Sequence, residues 1–252
     1  MRKCGMKGSA GARRAGARTG LLMLAAATLL LAPLLTGCAK KGKVPVADTG
    51  PVRIVVLPFE VPEDDPELRW AAMAAPILMA RASQQYPDFV VIPLWETMPT
   101  AIASAGAARS FNDETANSAA NWLGAKWAVM GSITHRKGSA YSLVIDFIPT
   151  GSSDVPYRYI KTRRMESMGA AFLASIRQFL RFSTGRVLPP PKVKIPGLDR
   201  MRPAAEALDR EYGWFVEAEP GSAGAILEEM APAEKGLARL LLNPALYPGL
   251  SE

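Results

Sequence analysis

An unbroken apolar run, Ile54-Val55-Val56-Leu57, closes at Pro58 and predicts a buried strand over residues 53–60 with a turn after it. Pro62, Glu63, Asp64, Asp65 and Pro66 then form an acidic loop. From Leu68 onward, apolar residues at Ala72, Ala75, Met79 and Ala82 recur at helical spacing, which predicts a helix bent at Pro76. Residues 88–93 predict a second short strand, residues 95–106 a helix, and Asn112 or Asp113 the cap of another helix with Ala116, Ala119, Ala120 and Leu123 on its face. Alternation begins at residue 126. Trp127, Val129, Gly131 and Ile133 share one face of a strand, and Tyr141, Leu143, Ile145 and Phe147 share one face of the next. Lys137, Gly138 and Ser139 supply the turn of this hairpin. Residues 157–164 predict an edge strand whose Arg158, Lys161, Arg163 and Arg164 discourage further pairing. A closing helix carries Met168, Ala171, Phe172, Ser175, Ile176 and Phe179 on one stripe. The expected fold class is therefore α/β, a mixed sheet with flanking helices, over residues 53–184.

Both ends differ from this pattern. Residues 21–35 are apolar apart from Thr28 and Pro33, and Arg2, Lys3, Lys7, Arg13, Arg14 and Arg18 precede or flank that run. The run is shorter than the roughly 20 residues that cross a bilayer, and its basic lead fits a secretory signal over residues 1–37. It ends in Leu35-Thr36-Gly37-Cys38, which resembles the bacterial lipobox. The resemblance implies cleavage before Cys38, a diacylglycerol on its sulfur and an acyl chain on its new amino group, so that Cys38 anchors the chain in a membrane. Residues 38–52 read as a tether. Ala39 and Lys40 follow the cysteine, a pair without the Asp that favours inner-membrane retention in enteric bacteria, and the expected destination is the outer membrane, facing the periplasm. Beyond the sheet domain, residues 185–197 form a Pro-rich linker. Residues 198–252 are expected to be a helical tail, with Ala204, Leu208, Tyr212 and Phe215, then Leu227, Leu237, Leu240 and Leu241, at helical spacing. A tail of this size cannot hold a deep core alone and is expected to pack on the main domain or on a partner.

The charge balance changes once the leader is set aside. The whole chain carries +7, six cations belong to residues 1–37, and the first acid is Asp48, which leaves 7 − 6 = +1 for the remainder. Composition therefore gives no reason to expect a nucleic-acid partner. Two cysteines and one histidine exclude a disulfide framework, a Cys/His zinc site and most histidine-based catalysis within the chain.

The first strand contains Val56-Leu57-Pro58-Phe59, and the third runs Leu123-Gly124-Ala125-Lys126-Trp127-Ala128-Val129-Met130-Gly131-Ser132-Ile133. These two motifs, in this order and separated by a helix and a short strand, resemble the amino-terminal domain of TolB and its relatives. Those relatives include CsgG-type secretion lipoproteins and the lipoprotein activators of penicillin-binding proteins. The resemblance covers residues 52–183 and implies fold; its motifs are structural, not catalytic. One departure is the acidic loop, where relatives often place Asn, Ser and Gly.

Candidate chemistry is sparse. Glu60, Glu63, Asp64, Asp65 and Glu67 offer carboxylates for acid/base work or a cation, but their spacing lacks the alternation and central Gly of an EF-hand, and a solvated loop capping a helix explains them. His135 sits at the hairpin end beside Arg136 as a turn residue, and Gly221 to Gly224 lacks the Lys-Ser/Thr of a phosphate loop. The cations from Arg158 to Arg164 suit lipid headgroups or an acidic glycan as well as an edge. Trp70, Trp122 and Trp127 are expected in the core, whereas Trp95 and Trp214 are the aromatics expected as exposed partner-binding anchors. No cofactor, metal or catalytic residue is expected. The expected function is a non-enzymatic envelope lipoprotein that binds or scaffolds another envelope protein. The alternative is a subunit of an oligomeric CsgG-like secretion or surface-appendage complex, which needs long amphipathic barrel strands. A periplasmic hydrolase using the acidic loop ranks third.

Overall fold

In the computed structural model the described residues are 50–151, 154–190, 192, 194–215 and 241. The expected leader with Leu35, Thr36 and Gly37, the expected lipidation residue Cys38, most of the expected tether and most of the tail after Phe215 lie outside them. Strand β1, Val52–Val56, is the apolar run read from the sequence, and it pairs in parallel with β2, Phe89–Val91, on one side and β3, Trp127–His135, on the other. Strand β4, Tyr141–Pro149, runs antiparallel to β3 with Gly131 opposite Ile145, and β5, Tyr157–Arg163, forms the far edge. The sheet order is β2-β1-β3-β4-β5.

Helix α1, Arg69–Ser83, forms where the helical spacing places it. Every residue from Ala71 to Ala80 is buried, because the helix packs on the sheet while α4 (Met168–Thr184) and α5 (Arg202–Tyr212) cover its remaining sides. A helix enclosed on all sides has no polar stripe to keep. Pro76 lies inside it and cannot donate to the Ala72 carbonyl, and that carbonyl instead accepts the Phe59 N–H at 3.1 Å. The missing helical hydrogen bond thus ties the turn after β1 to α1. Helix α2, Leu94–Ala105, and helix α3, Asp113–Trp122, pack on each other and on β1, and α3 also contacts β3 and β4. Asn112 caps α3 as expected: its side chain accepts the Thr115 N–H at 2.9 Å, and Thr115 Oγ1 accepts the Asn112 N–H at 3.0 Å.

The core is aromatic where the sheet meets α4. Phe147 and Phe179 stack at 4.1 Å, Trp127 meets Phe179 edge-on at 4.9 Å, and Phe59 packs on Phe172 at 6.0 Å. The Pro-rich segment is not a free spacer where it is described. Arg177 donates to the Leu188 carbonyl at 3.1 Å, Arg186 pairs with Asp88 at 3.1 Å, and Ile195 is buried. Leu198, Met201, Ala204, Ala205, Ala207 and Leu208 then join the same core through α5, so residues 198–215 pack on the main domain. No helix among the described residues is long and apolar enough to cross a membrane.

Candidate functional site

The loop leaving β1 is fixed through its backbone. Glu60 N–H donates to the Gly131 carbonyl at 2.8 Å and the Glu60 carbonyl accepts Ile133 N–H at 2.9 Å, which leaves the Glu60 side chain in solvent. Val61, Pro62 and Glu63 continue from there and, with Arg69 at the start of α1, form one wall of an open cleft of about 640 Å³. Ala108, Arg109 and Ser110, after the turn that ends α2, form a second wall. Trp214 and Phe215, just past α5, close it.

Three arginine–aromatic pairs line this region. The Arg109 guanidinium lies 5.5 Å from the Trp214 ring centre, and Arg69 lies 6.0 Å from that of Phe215. In an adjoining hollow of about 240 Å³ that shares Arg69 and Phe215, Arg202 lies 5.8 Å from Trp70 and pairs with Glu206 at 2.8 Å. The hydrogen bond that Arg202 Nε donates to Glu206 Oε1 holds the guanidinium charged even more firmly than that of a free arginine. Arg109 carries two marks of constraint. Its φ of 50° is the one left-handed value outside glycine among the described residues, and its Nη1 is shielded with no hydrogen-bond partner there. The surface combines arginines and aromatics, the side chains enriched at protein interfaces, with a rim of carboxylates from Glu60, Glu63 and Glu67.

Trp214 corrects the expectation of an exposed anchor. It is 4% exposed and stacks on Phe111 at 5.6 Å with an interplanar angle of 8°. Gly213, at φ 67°, ends α5 in the left-handed conformation, so the helical phase that separates Trp214 from Tyr212 stops before Trp214. Phe215 follows, fixed by its N–H to Asp209 Oδ1 at 2.7 Å, and is the aromatic the cleft presents. Trp95 is half-buried in the first turn of α2 and is not part of the cleft. Trp122, expected in the core, is 82% exposed. The Ala116, Ala119 and Ala120 stripe faces inward, and at about 100° per residue Trp122 falls about 110° from its centre, on the outer side of α3.

The remaining candidates stand apart from the cleft or enter it only in part. Asp64 and Asp65 are not part of the cleft, and no group of three His, Cys, Asp or Glu among the described residues is placed to hold a metal ion. His135 is exposed, and its Nε2 sits 2.6 Å from the Gly138 carbonyl oxygen. Arg158 is bidentate to Asp146 at 2.5 and 3.0 Å across β4 and β5, and that hydrogen bond raises its affinity for the proton. The cluster at the edge strand is thus partly committed to a buried carboxylate that the sequence pattern did not single out.

No protein-family model matches the chain, and no curated protein matches it. Among solved structures, the LpoB C-terminal domain from Salmonella enterica is similar at 10% identity, over 47% of this chain and 86% of that one, with a TM-score of 0.31. The LpoB C-terminal domain from Escherichia coli is similar at 12% identity, over 46% and 85%, with a TM-score of 0.31. The PelC dodecamer from Paraburkholderia phytofirmans is similar at 14% identity, over 54% and 89%, with a TM-score of 0.30.

Proposed function

We propose that this chain is a lipid-anchored envelope protein that works as a non-enzymatic protein-binding or scaffolding module, held at the outer membrane by Cys38 and facing the periplasm. The lipobox-like residues Leu35, Thr36 and Gly37, at the end of a basic and apolar leader, support the anchor. The observation that carries the binding role is the cleft beside β1. Arg69, Arg109 and Arg202 lie over Phe215, Trp214 and Trp70 in adjoining hollows, and Glu60 and Glu63 rim them. Arginine and large aromatics are the side chains that dominate binding energy at protein interfaces: the aromatics present a wide, rigid surface at small entropic cost, and the planar guanidinium both stacks on rings and donates to carboxylates. A segment of a partner protein carrying both a carboxylate and a basic residue fits the lining.

The test is photocrosslinking in intact cells from the full-length lipoprotein, with the reactive residue placed at Ser110 in the cleft or at Thr162 on β5. A discrete protein adduct from Ser110, absent from Thr162 and lost when Arg69→Glu is added, is the expected result. Equal adduct patterns from the two positions would overturn the assignment of the cleft.

A further inference from the structure

The large apolar side chains that the described residues leave exposed are Val90, Trp122, Val155, Ile160, Phe182 and Val187. All but Ile160 gather at the end of the sheet where the chain enters from the tether. Backbone bonds establish this. Val52 N–H donates to the Asp88 carbonyl at 2.7 Å, Lys126 N–H to the Arg53 carbonyl at 3.0 Å, and Thr150 N–H to the Lys126 carbonyl at 3.0 Å. Val90 pairs with Arg53, and Trp122 ends α3 just before Lys126. Tyr157, which starts β5 opposite Phe147, places Val155 at the same end, and the Phe182 ring lies 5.0 Å from the Tyr157 ring. Val187 adjoins Arg186, whose guanidinium pairs with Asp88. Trp122, Val155 and Val187 are 82%, 67% and 77% exposed.

Cations accompany these side chains. Arg53, Lys126, Arg181 and Arg186 are exposed at this end, against Asp88, which Arg186 already pairs, and Asp154. The acidic loop from Glu60 to Glu67 lies past the other end of β1. From Cys38 to Val52 the chain has 14 steps, which span at most about 50 Å fully extended. A domain anchored at Cys38 is therefore held within that distance of the membrane by its entry end.

We infer that this end rests on the anionic bilayer surface to which the chain is tethered, with Trp122 and Phe182 inserted among the headgroups and Lys126 and Arg181 against the phosphates. The inference rests on the anchor at Cys38. An amphipathic indole suits the headgroup level, long cationic stems reach past apolar neighbours to anionic lipid, and the tether supplies the proximity that makes a weak surface contact effective. Seated this way, the domain turns the cleft beside the far end of β1 away from the bilayer, toward a periplasmic partner.

The experiment reconstitutes the full lipoprotein into vesicles of phosphatidylethanolamine and phosphatidylglycerol and reads quenching of tryptophan fluorescence by lipids brominated high on the acyl chain. Flotation of the vesicles reports the anchor separately, because an unanchored protein stays at the bottom of the gradient. Floating protein whose quenching is lost in Trp122→Phe and weakened in Lys126→Glu/Arg181→Glu is the expected result. Floating protein in which Trp122→Phe leaves the quenching unchanged would overturn the inference while leaving the anchor intact. A Trp122 that is unquenched but buried against a second copy, seen as a crosslinked dimer, would overturn it as well. Failure to float would refute the anchor, and the seating with it.

Discussion

Gly131 sits where β3, β4 and the turn after β1 converge, and Gly131→Ala is the sharpest test of that packing. A Cβ at this position would fall on the Val144 carbonyl oxygen and within 2.6 Å of Phe59 Cε2. Neither neighbour yields easily. Val144 is main chain of the paired strand, and Phe59 is held by its N–H bond to Ala72 and its ring against Phe172. Overpacking a filled core costs about 1–3 kcal/mol. At about 2–4 °C per kcal/mol for a domain of this size, the melting temperature should fall by about 2–12 °C. The assay is thermal unfolding by near-UV circular dichroism of the full-length protein in detergent. Gly151→Ala is the control, because a Cβ there meets no atom within 4 Å, and it should change stability by no more than about 0.5 kcal/mol. If the two variants melt within about 1 °C of each other, the convergence of β3, β4 and Phe59 described here is wrong.

Trp214→Ala should destabilise the domain by about 3–5 kcal/mol, the range for emptying a buried aromatic site, since it removes the stack on Phe111 as well as the Arg109 contact; denaturant unfolding measures it, and an unchanged midpoint would return Trp214 to the surface. Alkaline pH should weaken the fold through Tyr86, Tyr157 and Tyr159, whose burial raises each phenol above its ordinary value of 10.0. The unfolded chain then sheds protons that the folded one keeps, so stability is full below about pH 10 and falls as pH rises beyond it. Melting temperatures from pH 8 to 11 check the sign, and a rise above pH 10 would contradict it.

Local pattern carried most of the sheet. The apolar run at Ile54 to Leu57, the alternation from Trp127 to Ile133 and from Tyr141 to Phe147, and the Asn112 cap are all set by neighbouring residues, so the sequence displays them directly. What it did not display depends on residues far apart in the chain. Helix α1 is apolar on every side, and what covers its outer face is α5, more than a hundred residues later. Trp214 points away from Tyr212 only if α5 continues through Gly213, whose left-handed conformation ends the helix. The cleft was invisible for the same reason: its arginines and aromatics come from the loop after β1, the start of α1, the turn after α2 and both ends of α5, and no spacing rule links them. Asp146 read as one polar residue in an alternating strand, yet it is the buried partner that orients Arg158.

Every functional statement above depends on Cys38 holding the domain at a membrane. Mass spectrometry of the amino-terminal peptide, from protein purified out of the native membrane fraction, tests this most directly. The account predicts a chain that begins at Cys38, with a diacylglyceryl thioether on its sulfur and an acyl group on its amino nitrogen, and a Cys38→Ser variant that keeps residues 1–37. A mature peptide in which Gly37 and Cys38 are still joined, or a Cys38 with a free thiol, would contradict it.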